Sequence, residues 1–223
     1  MAKKNLYLII DTETSERRHV IDFAAVICDR YGHILHKCAV LISDFYEKEK
    51  LFYNRDSGFF GIKNLEKRNN AYISMLNSGQ RVLASVASVN RWLSQAARLN
   101  PILTAYNLPF DKNCCDISGI MLPFTREFCL WQASCGIYAK RKGYINFCLQ
   151  NRGFSAKCIM LTNAEIMAQY ITGNNNPEPH TALEDVIDYE LPILTNILKQ
   201  KKKLSAVKYN WRNYQLADLA VAK

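Results

Sequence analysis

The sequence lacks an apolar run of about 20 residues, the length that a helix needs to span a bilayer. Its first apolar run, residues 6–10, ends at an acid and is not followed by the small-residue cleavage site of a signal peptide. Internal repeats and long low-complexity linkers are also missing. These absences predict a protein that stays in the cytoplasm without binding membranes. The 223 residues are enough for one well-buried domain with a short appendage.

The eight cysteines include no C-x-x-C pair, which disfavours the common zinc motifs. Without a secretory signal, disulfides are also disfavoured. A zinc site remains as an alternative, and its four candidate ligands are Cys129, Cys135, Cys148 and Cys158. The sequence favours buried free thiols.

The formal net charge is +9, with a pI near 9.1. Such a balance favours a polyanionic partner, because each phosphate contact releases condensed counterions. The alternative is a basic surface that only aids solubility. The candidates for backbone phosphate contacts, which could equally be solvated, are Lys140, Arg141, Lys142 and the run 199–203.

Hydrophobic patterning predicts four strands and several helices. The strands are expected at 5–10, 20–28, 34–42 and 102–106, with a hairpin turn at 29–32. The helices are expected at 82–99, 111–121, 124–150, 164–171 and from about 181 to 199, the last of which tolerates or bends at Pro192.

Residues 43–70 form a polar excursion with a weak helix, in which aromatic and basic residues alternate. Such aromatics can stack bases or simply anchor the loop to the core. They are Phe52, Tyr53, Phe59 and Phe60. The chain divides into a main domain at 1–198 and a basic tail at 199–223, which contains Tyr209, Trp211 and Tyr214.

Carboxylates follow two of the predicted strands. Asp11 and Glu13 come directly after the first strand, and residues two apart on an extended chain point to the same side. Asp111 follows the strand at 102–106, where α/β proteins commonly place their sites. Taken singly, the first two acids could decorate a loop and Asp111 could cap a helix.

The start of the last helix adds an acid and a histidine. Thr181 and Glu184 fit a capping box, which leaves His180 outside the helix and Asp185 in its first turn. Several carboxylates are needed to hold two magnesium or manganese ions, which can activate a water for phosphoryl displacement. A histidine is suited to take the proton of that water near neutral pH.

Three segments in this order resemble the motifs of the DEDDh exonucleases, the family of DNA polymerase proofreading subunits and of several 3′–5′ exoribonucleases. They are Asp11-Thr12-Glu13-Thr14, Asn107-Leu108-Pro109-Phe110-Asp111 and His180-Thr181-Ala182-Leu183-Glu184-Asp185. The hairpin at 21–34 also resembles the second and third strands of the family, and 144–194 resembles exonuclease-like proteins of bacteriophages. Ser15 and Asp22 depart from the family, where many members have Gly and Glu.

The resemblance implies an α/β, ribonuclease H-like fold, with a mixed five-stranded sheet flanked by helices. It further implies that two Mg²⁺ or Mn²⁺ ions are held by Asp11, Glu13, Asp111 and Asp185, that His180 is the general base, and that Thr14 and Asn107 orient ligands or substrate. The expected activity is 3′–5′ hydrolysis of DNA to nucleoside 5′-monophosphates. The alternatives are an exoribonuclease, a non-catalytic nucleic-acid-binding module and an interaction protein that works through its tail.

Overall fold

A computed structural model describes residues 5–53, 58–173 and 175–200 of the chain. It contains a mixed five-stranded sheet with strand order β4-β3-β2-β1-β5, in which β1 and β5, and β3 and β4, are parallel, while the other neighbours are antiparallel. The strands are β1 (Tyr7–Thr14), β2 (Val20–Cys28), β3 (Ile34–Ile42), β4 (Val82–Ala84) and β5 (Ile102–Thr104).

Helices connect and cover these strands. They are α1 (Gly58–Asn77), α2 (Val86–Ala97), α3 (Leu108–Ile117), α4 (Leu130–Ser134), α5 (Lys142–Gln150), α6 (Ala164–Thr172), α7 (Ala182–Asp185) and α8 (Leu191–Lys199). Two π-helical turns interrupt them: Cys135–Ala139 follows α4, and Val186–Glu190 joins α7 to α8. The helical stretch is continuous from Ala182 to Lys199, and Pro192 lies directly after its π-helical turn, where the regular hydrogen-bond pattern already changes.

The two faces of the sheet carry separate cores because neighbouring residues of a strand point to opposite sides. Tyr7 and Ile9 of β1 belong to one core, with residues from α4 to α8. Leu8 and Ile10 belong to the other, with residues from α2 and α3. The predicted α/β fold, a mixed five-stranded sheet flanked by helices, is confirmed, and the arrangement is consistent with a ribonuclease H-like fold.

The predicted helix at 82–99 is wrong in its first turn. Val82 pairs with Val40 of β3, so this stretch adds a fifth strand to the sheet. The helix begins only after Ser85, whose hydroxyl accepts the Ser88 N–H as a cap. Val82 fits the helical spacing by chance, and a strand of three residues is too short to show its own alternation.

Two other helix boundaries also differ from the prediction. Helix α3 begins at Leu108 rather than at 111, because Asn107 takes a left-handed conformation and Pro109 lies in the first turn. Residues 124–129 are not helical: the chain there runs beside β5, and the Leu103 N–H donates to the Arg126 carbonyl. The predicted helix at 164–171 is confirmed by α6.

The helix predicted within the excursion at 43–70 is α1, which begins at Gly58 and continues beyond the excursion to Asn77. Phe52 is exposed and Tyr53 is half-buried, while the side chains of Phe59 and Phe60 lie outside the described part. The tail residues after Gln200, including Tyr209, Trp211 and Tyr214, also lie outside it. Within the described ranges, no helix is long and apolar enough to cross a membrane.

Candidate metal centre

The strand β1 presents polar residues to both faces of the sheet. Asp11 and Glu13 share the face of the core that contains α7, while Thr12 points to the opposite face. The Thr12 hydroxyl donates to Asp111 Oδ1 at 2.8 Å, which joins β1 to α3. Asp11 and Glu13 therefore lie on β1, and Asp111 reaches the same strand from α3, the helix that follows β5.

The carboxyl ends of the parallel strands β1 and β5 meet at the same edge of the sheet. Ile9 pairs with Thr104, so Asp11 and Tyr106 each lie two residues beyond this pair. Asn107 then turns the chain with a φ of 75° and directs it into α3. Asp111 lies in the first turn of this helix and is almost completely buried.

The start of α7 is fixed by a buried ion-pair network rather than by the predicted capping box. Thr181 takes the N-cap position, but its side chain accepts no cap hydrogen bond. Asp22 of β2 accepts the Ala182 N–H instead, at 2.9 Å. Arg81 binds Asp22 at 3.1 Å and Glu184 at 2.6 Å, so the guanidinium joins β2 to the start of α7.

This network places Asp185 and His180 on either side of the helix start. Asp185 is 3% exposed, whereas the His180 side chain is 56% exposed, on the loop before α7. His180 Nδ1 lies 3.9 Å from Glu13 Oε1. Glu13, His180 and Asp185 form the one group of three metal-binding side chains found among the described residues, with donor atoms within 4.8 Å of one another.

The buried acids disfavour their own ionisation. Burial raises the pKa of Asp11 well above its usual value, and the charges of Glu190, Asp111, Asp185 and Glu13 raise it further. Burial likewise raises the pKa of Asp111 to about 7. For Asp185, burial and then the charges of Glu178 and Glu13 raise the pKa to about 10.

The positive charge of Arg68 also affects the pKa values of Glu13 and His180. Burial raises the pKa of Glu13 to about 8, against the opposing charge of Arg68. The surrounding protein partly removes water from the His180 ring, and together with Arg68 this lowers its pKa below the usual value. A lowered pKa favours the neutral ring, the form that can accept a proton.

Two acids that the sequence reasoning missed border the same centre. Glu190 is 2% exposed and ends the π-helical turn after α7, where its Oε1 accepts the Tyr106 N–H at 3.0 Å. Glu178 lies on the loop before His180, and burial raises its pKa to about 7. The π-helical turn shifts the helical spacing by one residue, so no regular period starting at Asp185 predicts the position of Glu190.

The donor set fits a divalent metal ion. Within the described part of the chain, three buried carboxylate oxygens have no hydrogen-bond partner, namely Asp11 Oδ2, Asp185 Oδ1 and Glu190 Oε2. Buried oxygens of this kind are costly unless they bind a proton or a cation. Oxygen donors are also what magnesium and manganese prefer.

A cavity of about 500 Å³ opens beside the acids. Its polar lining includes Asp11, Asn107, Glu178 and Glu190, and its apolar lining includes Tyr106, Trp131, Ile159 and Met160. The volume is in the range of small-molecule sites, about 300–1,000 Å³. Asn107, a predicted substrate residue, therefore lies on the wall of this cavity.

Several other residues that the sequence suggested for binding are not part of the group formed by Glu13, His180 and Asp185. Thr14 is buried at the end of β1, where its carbonyl accepts the Phe52 N–H, and it is Thr12 that touches a site acid. Arg141 stacks on Tyr138 and donates to Gln200. Cys158 is exposed, Cys38 is half-buried, and the other six cysteines are buried free thiols, none of which belongs to a metal-binding group in the described ranges.

Comparison with protein-family models and with curated proteins finds no match to this chain.

Proposed function

We propose that the chain is a metal-dependent nuclease of the DEDDh class, which removes nucleoside 5′-monophosphates from a 3′ end. DNA is the first substrate to test, and RNA is the alternative. The observation that carries the proposal is that donor atoms of Glu13, His180 and Asp185 lie within 4.8 Å of one another, while buried oxygens of Asp11 and Asp185 have no hydrogen-bond partner. Asp111 is not in this group of three, but its charge acts on Asp11. A purely structural role would leave such oxygens without compensation.

In this proposal the four carboxylates hold two Mg²⁺ or Mn²⁺ ions, which supply Lewis-acid activation of a water and stabilise the leaving oxygen. A nitrogen of the neutral His180 ring accepts the proton of the attacking water. The exposed position of His180 lets it release that proton to solvent. The cavity beside Asp11 and Asn107 receives the terminal nucleotide of the substrate.

The decisive experiment is digestion of matched DNA and RNA oligonucleotides, labelled at the 5′ end to follow shortening and at the 3′ end to identify the released product. We expect stepwise shortening from the 3′ end with Mg²⁺ or Mn²⁺, and none with EDTA. The faster of the two substrates identifies the nucleic acid. Binding of both without release of mononucleotides would contradict the proposal and favour a non-catalytic module.

Single substitutions separate the proposed roles. We expect Asp11→Asn to abolish most cleavage by weakening metal binding. We expect His180→Ala to lower kcat by about 10²–10⁴-fold, the usual contribution of a general base, and to leave oligonucleotide binding intact. Both variants should keep the circular dichroism spectrum of the wild type. Near-normal turnover in either would overturn the assignment of that residue.

A further inference from the structure

Arg68 lies at the centre of three hydrogen bonds that meet beside the proposed metal centre. It belongs to α1, in the excursion that no motif of the sequence covers, and its side chain is 11% exposed. Its Nη2 donates to Glu13 Oε2 at 2.5 Å, its Nε to the His180 carbonyl at 3.0 Å and its Nη1 to the Phe52 carbonyl at 3.1 Å.

One guanidinium therefore fixes two of the proposed functional residues relative to each other. The ion pair uses Oε2 of Glu13 and leaves Oε1 on the side of His180 Nδ1. His180 has a φ of 56°, a left-handed conformation that is disfavoured for a residue with a Cβ. The bond from Arg68 to the His180 carbonyl helps to hold the loop in this conformation.

The same guanidinium has a second, opposing effect. Its positive charge touches a carboxylate that the proposed function assigns to metal binding, and two cations near one carboxylate repel each other. Arg68 therefore lowers the affinity of Glu13 for a metal ion while it holds Glu13 and His180 in place.

We propose that Arg68 is a positioning residue of the nuclease site. It holds the His180 loop in place and at the same time lowers the metal affinity of Glu13. The proposal rests on the proposed function in so far as His180 acts as the base. The proposal also gives α1 a role, because Arg68 of this helix binds both Phe52 of the excursion and Glu13 of the site. Lysine is a poor substitute, because a single ammonium lacks the planar fork that reaches three acceptors at fixed angles.

The test compares Arg68→Met, Arg68→Lys and the control Lys67→Met, which removes an exposed charge at the neighbouring position of α1. Three quantities are measured in the full chain: Mn²⁺ affinity from the electron paramagnetic resonance signal of free Mn²⁺, kcat and KM on a 3′-labelled oligonucleotide, and amide exchange of Glu178, His180 and Thr181. The control should match the wild type in all three.

For Arg68→Met we expect Mn²⁺ to bind about tenfold more tightly, because a repelling charge is gone, while kcat falls about 10²-fold, as for a misplacement of about 1 Å. KM should stay within about twofold, and amide exchange at Glu178, His180 and Thr181 should become faster. Arg68→Lys should restore Mn²⁺ affinity toward the wild-type value and recover only part of kcat.

A general loss of structure would weaken Mn²⁺ binding and turnover together, and that result would overturn the proposal. So would a kcat of Arg68→Met within about threefold of the wild type. If the wild type itself cleaves nothing, the proposed function fails, and Arg68 is then judged by Mn²⁺ affinity and amide exchange alone. Unchanged values of both would overturn its positioning role independently.

Discussion

At the scale of single residues, the acids of the centre oppose the stability of the metal-free protein. The pKa values of Asp111, Glu13 and Asp185 are raised to about 7, about 8 and about 10. A carboxyl whose pKa is higher in the folded state binds more protons folded than unfolded, so stability falls as the pH rises. The loss begins near the ordinary carboxyl pKa of about 4 and continues through these three values.

We therefore expect the metal-free protein to need less urea for unfolding at pH 8.5 than at pH 5.5. Mg²⁺ or Mn²⁺ should reverse the loss at pH 8.5, because a ligand that binds only the folded state stabilises it. Urea unfolding at both pH values, with and without metal, measures this directly.

Asp185→Asn provides the matched variant for this prediction. It removes a carboxyl that has to take up a proton when the protein folds at pH 8.5, so it should raise the stability of the metal-free protein at this pH and flatten the pH dependence. The control Asp116→Asn changes an exposed acid of α3 and should leave the pH dependence of the wild type. Stability that rises from pH 5.5 to 8.5 without metal would contradict this account of the site.

At the scale of elements, the start of α7 depends on a buried ion-pair network. The side chains of Arg81 and Asp22 are both fully buried, and Glu184 completes the network from α7. Removing one partner of a buried pair leaves an uncompensated charge and costs about 3–5 kcal/mol. This network links β2, the segment before β4 and the helix that carries Asp185.

We expect Arg81→Met to lower Tm by about 10 °C, since about 1 kcal/mol corresponds to 2–4 °C in a domain of this size. Arg91→Met is the control, because Arg91 lies exposed on α2, where its guanidinium donates to the Ser88 hydroxyl of the same helix. Thermal unfolding of both variants by circular dichroism measures the difference. Equal Tm values for the two would show that the network contributes nothing to the fold.

The elements also show how far the sequence could predict this structure. Strands β1, β2 and β3 and helix α6 were predictable, because their apolar patterns are long enough to reveal a period. Strand β4 was not, because its pairing with β3 is a tertiary interaction of only three residues. The start of α7 was predicted at the right position, but for a wrong reason, since Asp22 caps it from another strand.

The residues of the candidate site also divide into those that the sequence could predict and those that it could not. Asp11 and Glu13 could be singled out because they end an apolar run, although β1 continues through both of them to Thr14. Asp111 could be singled out because it follows a predicted strand, and His180 and Asp185 because they flank a helix start. Arg68 and Glu190 could not, because nothing in their local sequence indicates a partner. Arg68 reaches Glu13 across 55 positions of the chain, and Glu190 reaches Tyr106 across 84.

At the scale of the whole molecule, the net charge is unevenly distributed along the chain. Residues 201–223 contain six basic residues and one acid, so they contribute +5 of the total of +9. The acids of the candidate site lie outside this segment and would repel a polyanion by themselves. The proposed function therefore assigns capture of the nucleic acid to basic residues away from the centre.

Two groups of lysines can be compared for this role. Lys201, Lys202 and Lys203 follow the described part of the chain directly, and Lys140 and Lys142 flank the partly buried Arg141. We expect Lys201→Gln, Lys202→Gln and Lys203→Gln, combined in one variant, to raise KM for a single-stranded oligonucleotide and to leave kcat unchanged. The logarithm of the binding constant falls as the logarithm of the salt concentration rises, and each phosphate of a single strand that a lysine neutralises makes this slope steeper by about 0.7. The triple variant should therefore show a slope that is smaller in magnitude by about 2. The comparison is a double variant, Lys140→Gln with Lys142→Gln. If its salt slope changes more than that of the triple variant, the nucleic acid binds beside α5 instead, because the slope reports the phosphates that each group of lysines neutralises.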